Sequence, residues 1–188
     1  MIDLNSVVKK IEWNSFLLLL QKYGTEYVNN DLVDEIANKT GNGHTIIHRQ
    51  LDNNIPTWIQ SGLKYKPIVL QIFASQPSSV GTIHKDGIQR KSALNIPICN
   101  CDSGLTEWFD GDFKELKISN EYTQIRLIDG LYEYEPTISI NINQPCVLNT
   151  DIWHRVHNTN QNYRYMLSIR FEGNPSFLEL SSRELFYV

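Results

Sequence analysis

Three side chains able to bind a metal ion stand in two separated segments of the chain. His84 and Asp86 form a His-x-Asp element, and His154 follows in a later segment. Side chains two residues apart on a β-strand point to the same face, so His84 and Asp86 would enter one cavity. Two imidazoles and one carboxylate on one face of an octahedral ion leave its other positions open. The spacing predicts such a metal centre, with His157 as the alternative to His154 on the opposite face of its strand.

A cationic side chain follows the second segment. Arg164 opens an alternating run ten positions after His154, where a guanidinium could hold a carboxylate through two hydrogen bonds. On a regular strand Arg170 shares the face of Arg164 and is its alternative, although a salt bridge at the strand end would also explain it. Ser168 lies on the same face, where its hydroxyl either donates to a carboxylate or fills space. The pattern predicts a carboxylate-binding group near the metal.

The elements that must carry these residues are mostly short β-strands. From Lys66 onward, apolar or alternating runs rich in branched and aromatic residues are separated by Gly, Pro, Asn and Asp. Many short strands with turns between them favour a sandwich or closed jelly roll over a parallel sheet. The predicted strands are Ile68–Ala74, Gly81–Asp86, Ser92–Cys99, Thr106–Phe109, Glu115–Ile118, Ile125–Ile128, Thr137–Asn141, Cys146–Asn149, Arg155–Asn158 and Arg164–Phe171.

Helices are predicted on both sides of this β region. Apolar residues at three- and four-residue steps near the N-terminus are typical of an amphipathic helix, and glycine often ends one. The helical segments are Asn5–Tyr23, ending near Gly24, then Asp31–Lys39 and, with unclear register, Pro175–Phe186; an irregular stretch runs through Pro56 and Trp58.

Length and composition point to a single globular domain. At 188 residues one hydrophobic core is the default, and we expect one domain over 1–188. Within it we expect a mainly helical flank at 1–60, a β core at 66–172 and a C-terminal segment at 175–188.

Charge and hydropathy narrow the range of partners. A net charge of -4 argues against binding to a phosphate backbone, so nucleic acid is not expected. No apolar run reaches the roughly 20 residues that span a bilayer, and the N-terminus lacks the pattern of a signal peptide. We expect a cytoplasmic protein without a membrane partner.

The cysteines and tryptophans have simple structural interpretations. Cys99, Cys101 and Cys146 cannot all pair, which is typical of a reducing compartment. A zinc site would need a fourth ligand, so buried small apolar residues are the better interpretation. Trp108 and Trp153 are interpreted as core residues rather than as a platform for substrate.

Taken together, these elements resemble the 2-oxoglutarate oxygenases, and most closely their aspartyl/asparaginyl β-hydroxylase-like branch. The resemblance runs from Ile83 to Phe171, roughly half of the chain. The residues that carry it are Ile83-His84-Lys85-Asp86-Gly87, Ala93-Leu94-Asn95-Ile96-Pro97, Thr106-Glu107-Trp108, and His154-x-Val156-x-Asn158 followed by Arg164.

The resemblance implies roles for individual residues. His84 and His154 would bind Fe(II), and Arg164 would bind the distal carboxylate of 2-oxoglutarate. Asn95 lies where the family often supplies a polar group to that cosubstrate. Asp86 departs from the animal aspartyl β-hydroxylases, which lack the carboxylate, and matches most other members of the superfamily. Related halogenases carry a small residue there, so Asp86 favours hydroxylation.

The resemblance further implies a fold and an activity. The fold is mainly β with flanking helices, a double-stranded β-helix of the jelly-roll, cupin-like kind. The activity is that of an Fe(II)/2-oxoglutarate-dependent dioxygenase, with ascorbate as a reductant, which hydroxylates a small molecule or a peptide residue of amino-acid type. The alternatives are a non-redox cupin-type metal-binding isomerase and a catalytically silent binding module. The roles of Arg90, His157 and Arg170, and the oligomeric state, stay open.

Overall fold

A computed structural model describes most of the chain. The described residues are 2–28, 46–50, 54–86, 90–111, 113, 115–117, 123–125, 134–182 and 184–187. For residues 46–50, 115–117 and 123–125, only the course of the backbone is described. The predicted helix over Asp31–Lys39 lies outside these residues, as does His44.

The described residues form short strands with a few helices. The strands are β1 Val8–Lys10, β2 Ile46–Gln50, β3 Pro67–Ser75, β4 Ser79–Val80, β5 His84–Lys85, β6 Ser92–Cys99, β7 Gly104–Trp108, β8 Glu115–Lys117, β9 Thr123–Ile125, β10 Ile138–Asn141, β11 Cys146–Asn149, β12 His154–Asn158 and β13 Arg164–Phe171. The helices are a 3₁₀ helix Leu4–Ser6, α1 Ser15–Glu26, α2 Thr57–Gly62 and α3 Phe177–Ser182.

These strands form two sheets in which every pairing is antiparallel. One sheet has six strands in the order β1-β11-β6-β13-β3-β2, and we call it the large sheet because it contains the longest strands. The other, called the small sheet, has seven shorter strands in the order β10-β7-β12-β5-β9-β8, with β4 also paired to β12. From β10 onward, successive strands alternate between the small and the large sheet. The fold is therefore mainly β, as predicted, and consistent with a β-sandwich.

The large sheet is covered by apolar side chains on both faces. One face packs against the helices through a core that includes Leu17, Ile59 and Leu180. The other face shares a second core with the small sheet, in which Met166 packs with Trp108. Alternation along β13 divides its residues accordingly, because Leu167 and Ile169 belong to the helical side while Met166 belongs to the inner side. By the same alternation Arg164 and Ser168 share the inner face of Met166.

The N-terminal helix begins later than the sequence predicts. Val8–Lys10 is a strand paired with β11 at the edge of the large sheet, so the prediction of a helix from Asn5 was wrong there. The helix starts at Ser15, after the Asn14 side chain accepts a hydrogen bond from the Leu17 N–H at 2.9 Å. The apolar residues before Asn14 have a spacing that predicts a helix. Over so short a run, an edge strand can have the same spacing.

Two further differences lie in the N-terminal region. The helix passes through Gly24 to Glu26 instead of ending at Gly24, where a Cβ would meet Ile98 Cδ1 at 2.6 Å. The glycine thus permits close packing of α1 on β6 rather than a helix stop. Around Pro56 and Trp58 the structure has α2 rather than an irregular stretch, because burial of Ile59 against the large sheet stabilises a short helix. The region before it contributes β2 to the same sheet.

The β region agrees closely with its prediction. A strand overlaps every predicted run, although Gly81–Asp86 contains only β5, with β4 just before it, and the last predicted helix shortens to α3. Trp108 is fully buried and Trp153 is 6% exposed, which confirms both as core residues. Cys101 and Cys146 are buried free thiols, as expected, but Cys99 is exposed and the prediction was wrong for it.

Candidate metal centre

Two histidines from different strands face each other in the small sheet. His84 on β5 and His154 on β12 are direct antiparallel partners. Their ring centroids lie 4.5 Å apart at an interplanar angle of 45°. Side chains of directly paired residues stand on the same face of a sheet, so the register itself brings the two imidazoles together.

Asp86 completes this group from the position just after β5. Its backbone N–H donates to the Thr150 carbonyl at 3.0 Å, which ties the His-x-Asp segment to the segment preceding β12. One carboxylate oxygen lies 3.4 Å from His84 Nε2. One ligand atom from each of His84, Asp86 and His154 lies within 4.8 Å of the others, so the three residues could hold a metal ion.

Both imidazole rings are oriented by the backbone in the same way. Nδ1 of His84 lies 2.8 Å from the carbonyl oxygen of Thr82, and Nδ1 of His154 lies 2.8 Å from that of Ile152. An N–H at Nδ1 donates to each carbonyl and leaves the Nε2 lone pair for a cation. Such hydrogen bonds orient the histidine ligands of metal sites in general.

At neutral pH the protonation states of Asp86 and His154 suit a cation, whereas the pKa of His84 is raised. Burial lowers the pKa of His84, but the hydrogen bond and the charge of Asp86 outweigh it, so that this pKa is raised. Burial, followed by the nearby His84, lowers the pKa of His154 to about 4. Burial raises the pKa of Asp86, yet Arg90 and the histidines together outweigh it and hold this pKa well below its usual range. At neutral pH Asp86 is therefore a carboxylate and His154 a neutral imidazole, as metal binding requires.

Arg90 lies against the carboxylate of Asp86. Its Nε atom is 3.3 Å from Asp86 Oδ2, and its Nη2 donates to the hydroxyl of Ser168 at 2.6 Å. The guanidinium carbon stands 4.9 Å from the centre of the Phe73 ring, a cation–π contact. Ser168 is fully buried. The structure thus links Ser168 to the metal-binding group through Arg90.

Arg164 is a buried cation at the start of β13. It is 4% exposed, and burial lowers the pKa of its guanidinium, an effect that the nearby Cys101 and Cys146 only partly offset. Within the described part of the chain it forms no ion pair with a carboxylate, and its Nε atom has no hydrogen-bond partner. A buried guanidinium without an acid is costly, so an anionic ligand at this point would be strongly stabilising.

Gly104 gives the Arg164 side chain its space. A Cβ built on Gly104 would lie 2.8 Å from Arg164 Nε and would meet the Cδ atom more closely still. The two residues come from β7 in the small sheet and β13 in the large sheet, so the guanidinium reaches across the interior between the sheets. Gly104 begins β7 and precedes the predicted strand Thr106–Phe109, so in the sequence it is typical of a turn, and close approach was not predicted.

Asn95 stands in the same row of the large sheet as Ser168. Register pairs Asn95 with Ser168 on one side and with Cys146 on the other. Asn95 is 4% exposed, and its side chain makes no hydrogen bond to any residue that the structure describes. A buried amide of this kind usually has a partner, so Asn95 is available to a bound molecule.

Asn158, the asparagine at the end of the His154 segment, anchors the turn that follows. It is fully buried, and its Nδ2 atom lies 3.1, 2.7 and 2.9 Å from the carbonyl oxygens of Ser75, Gln76 and Asn162. These contacts fasten the turn between β12 and β13 to the end of β3. Asn158 thereby sets where Arg164 begins its strand relative to His154.

The structure separates His157 from the candidate metal ligands. His157 faces the other side of β12, where its Nδ1 lies 3.6 Å from Oε1 of Glu107. Glu107 is buried and also pairs with Arg155, its direct cross-strand partner, at 2.5 Å. Burial and, to a smaller extent, the charge of the nearby Arg170 lower the pKa of Arg90. The side chain of His48 lies outside the described part of the structure.

Features elsewhere in the molecule do not extend this centre. A surface groove of about 410 Å³ lies between β1 and the C-terminal residues, and its lining includes Lys10, Val147 and Leu185 but none of the three candidate metal ligands. No described helix is long and apolar enough to cross a membrane.

Neither the protein-family models nor the curated proteins with which the chain was compared match it.

Proposed function

We propose that this protein is an Fe(II)- and 2-oxoglutarate-dependent oxygenase that hydroxylates a small molecule or a peptide residue of amino-acid type. One observation carries the proposal: two histidines and a carboxylate converge in an interior that also holds Arg164, a buried cation without an acidic partner among the described residues. A metal and a dicarboxylate would satisfy both features together.

The order of the strands supports a double-stranded β-helix, the fold that the sequence resemblance implies. In that fold the chain passes repeatedly between two four-stranded antiparallel sheets. Here the central large-sheet order β11-β6-β13-β3 and the small-sheet order β10-β7-β12-β5 have this arrangement. The remaining strands extend these two groups at their edges.

The donor set favours iron(II) over a structural zinc ion. Neutral imidazoles and a hard carboxylate suit iron(II), and three protein ligands leave coordination positions for other molecules. The thiols of Cys99, Cys101 and Cys146 do not belong to the group that could hold the metal. The site therefore differs from the closed, thiol-rich sites in which zinc stabilises a fold.

A bound 2-oxoglutarate would find complementary groups in this interior. Arg164 would pair with its distal carboxylate, and the buried amide of Asn95 would add a hydrogen bond. Ser168 Oγ accepts a hydrogen bond from Arg90, so its hydroxyl hydrogen can still be donated to the cosubstrate. We therefore keep Ser168 as a cosubstrate-binding residue that also orients Arg90.

Bound iron and 2-oxoglutarate would supply dioxygen activation coupled to decarboxylation of the cosubstrate to succinate. The chain's own residues have the tasks of binding, orientation and exclusion of water. His84, Asp86 and His154 would hold the metal with their Nε2 atoms and one carboxylate oxygen. Burial of Arg164 and Asn95 keeps competing water from the cosubstrate. Asp86 supports hydroxylation, because related halogenases carry a small residue at the equivalent position.

The test is conversion of 2-oxoglutarate to succinate. Purified protein is supplied with Fe(II) and ascorbate under air, and succinate is measured with and without a panel of amino acids. We expect slow formation of succinate without substrate, and none from Asp86→Ala. His157→Ala, which changes a histidine on the opposite face of β12, should keep the wild-type rate. Absence of succinate together with absence of 2-oxoglutarate binding would favour a non-redox metal-binding protein or a silent binding module.

A further inference from the structure

Arg90 has a position that the proposed reaction does not by itself explain. It follows the His-x-Asp element, its side chain is 12% exposed, and it contacts Asp86, Ser168 and Phe73 at once. We infer that Arg90 is a positioning residue that makes Asp86 a ligand through one oxygen atom. The inference rests on the metal site of the proposed function and not on its oxygen chemistry.

The two oxygens of Asp86 have different neighbours. Oδ1 lies 3.4 Å from His84 Nε2, and Oδ2 lies 3.3 Å from Arg90 Nε. Two atoms at about 2.1 Å from a cation and at right angles to each other stand about 3 Å apart, so Oδ1 and Nε2 already have nearly the spacing of adjacent ligands. Oδ2 is then the oxygen that the guanidinium holds away from the metal.

Several contacts from separate elements fix Arg90 in this role. Its Nη2 donates to Ser168 Oγ on β13 at 2.6 Å, and Phe73 on β3 packs against the guanidinium at 4.9 Å. Its own carbonyl accepts a hydrogen bond from Thr150 Oγ1 at 2.5 Å. Thr150 also accepts the N–H of Asp86. The backbones of Arg90 and Asp86 are thus both hydrogen-bonded to Thr150, which restricts their relative position.

The number of open coordination positions depends on how Asp86 binds. With one oxygen, the three protein ligands occupy three of about six positions, and a carboxylate binding through both oxygens would occupy a fourth. A cosubstrate that chelates through two atoms leaves a place for dioxygen in the first case and fills the site in the second. Holding Oδ2 on Arg90 therefore keeps the metal centre open.

The experiment uses Co(II) in place of iron, without 2-oxoglutarate or dioxygen chemistry. Visible absorption of the bound Co(II) reports its coordination, and titration gives its affinity. We compare wild type with Arg90→Met, Arg90→Lys and Ser168→Ala. Lys91→Met is the matched control, because Lys91 is a neighbouring but exposed cation.

We expect Arg90→Met to change the Co(II) absorption band and to weaken Co(II) binding by about 10- to 100-fold, as loss of an outer partner of a metal ligand commonly does. Arg90→Lys should restore part of the affinity but not the wild-type band, because an ammonium keeps the charge without the planar fork. Ser168→Ala should shift the band in the same direction by a smaller amount. The control should match wild type in both measurements.

The inference is overturned if Arg90→Met binds Co(II) with the affinity and band of Lys91→Met. It is equally overturned if Arg90→Met leaves the Co(II) band unchanged while the separate succinate assay shows a raised 2-oxoglutarate requirement, since Arg90 would then bind an anion directly. If Arg90→Met does not fold by circular dichroism, Ser168→Ala decides the question, because it removes only the hydrogen bond at 2.6 Å. Failure of wild type to form succinate would refute the proposed reaction and leave the Co(II) comparison intact.

Discussion

His84 and His154 are cross-strand partners whose rings lie 4.5 Å apart, although seventy residues separate them in the sequence. The pairing of β5 with β12 therefore brings two of the three candidate metal ligands together. A slip of this pairing by one residue would turn His154 to the opposite face, where His157 now lies. Strand register, and not residue type, thus excludes His157, the alternative ligand that the sequence offers.

Removing any one of the three ligands should abolish high-affinity metal binding while the fold persists. We expect His84→Ala, Asp86→Ala and His154→Ala to weaken Fe(II) or Co(II) binding by more than about 100-fold, beyond the loss caused by outer partners of a metal ligand. Calorimetric titration under nitrogen gives the affinity, and circular dichroism reports the fold. His157→Ala is the control and should bind normally. A normal His154→Ala with a defective His157→Ala would refute the ligand assignment.

Arg164→Ala should raise the concentration of 2-oxoglutarate required for half-maximal succinate formation. A hydrogen bond to a charged group contributes about 1.5–3 kcal/mol, or about 10- to 100-fold in binding. The maximal rate should fall less than the affinity. Metal binding, measured separately, should match wild type. An unchanged 2-oxoglutarate requirement would show that another group binds the distal carboxylate.

Gly104→Ala should also raise the 2-oxoglutarate requirement, in this case by a steric effect. The added Cβ would displace the Arg164 side chain, whose Nε would stand 2.8 Å away. We expect about a tenfold rise in the 2-oxoglutarate requirement, one step of 1.4 kcal/mol. If metal affinity fell as much as cosubstrate affinity, the substitution would be disturbing the whole interior and not Arg164 alone.

Glu107→Gln should destabilise the protein without altering the metal centre. Glu107 pairs with Arg155, and both side chains are buried, at 6% and 9% exposed. Removing one partner of a buried ion pair costs about 3–5 kcal/mol, because the remaining charge is left uncompensated. Urea unfolding of the metal-free protein measures the change. A loss below about 1 kcal/mol would mean that water reaches and solvates Arg155.

The thiols should react in a fixed order. Cys99 is exposed, whereas burial raises the pKa of the Cys146 thiol to about 12 and Cys101 donates to the Tyr165 carbonyl at 3.2 Å. A disulfide reagent at pH 8 should modify Cys99 first. Cys101 and Cys146 should react slower by about 10³-fold or more, since they need the protein to open. Peptide mapping by mass spectrometry identifies the sites, and Cys99→Ser provides the control. Fast modification of Cys146 would contradict its burial.

Much of the candidate site could be predicted from local pattern. His84 and Asp86 are two residues apart, and neither separation nor residue type depends on the rest of the fold. Alternation along β13 likewise placed Arg164 and Ser168 on one face, because strand geometry has a period of two. A short periodic pattern was a weaker guide. It predicts a helix over Val8–Lys10, where the structure has an edge strand.

The contacts that orient the site could not be read from sequence. Thr150 joins Asp86 to Arg90, Gly104 makes room for Arg164, and Asn158 fastens the turn before Arg164 to the end of β3. Each of these contacts joins residues that are adjacent only after the sheets have formed. The sequence by itself determined which side chains could bind a metal and which face of each strand they occupy. Tertiary structure alone decided which of them meet, because strand register and close packing are properties of the assembled sheets.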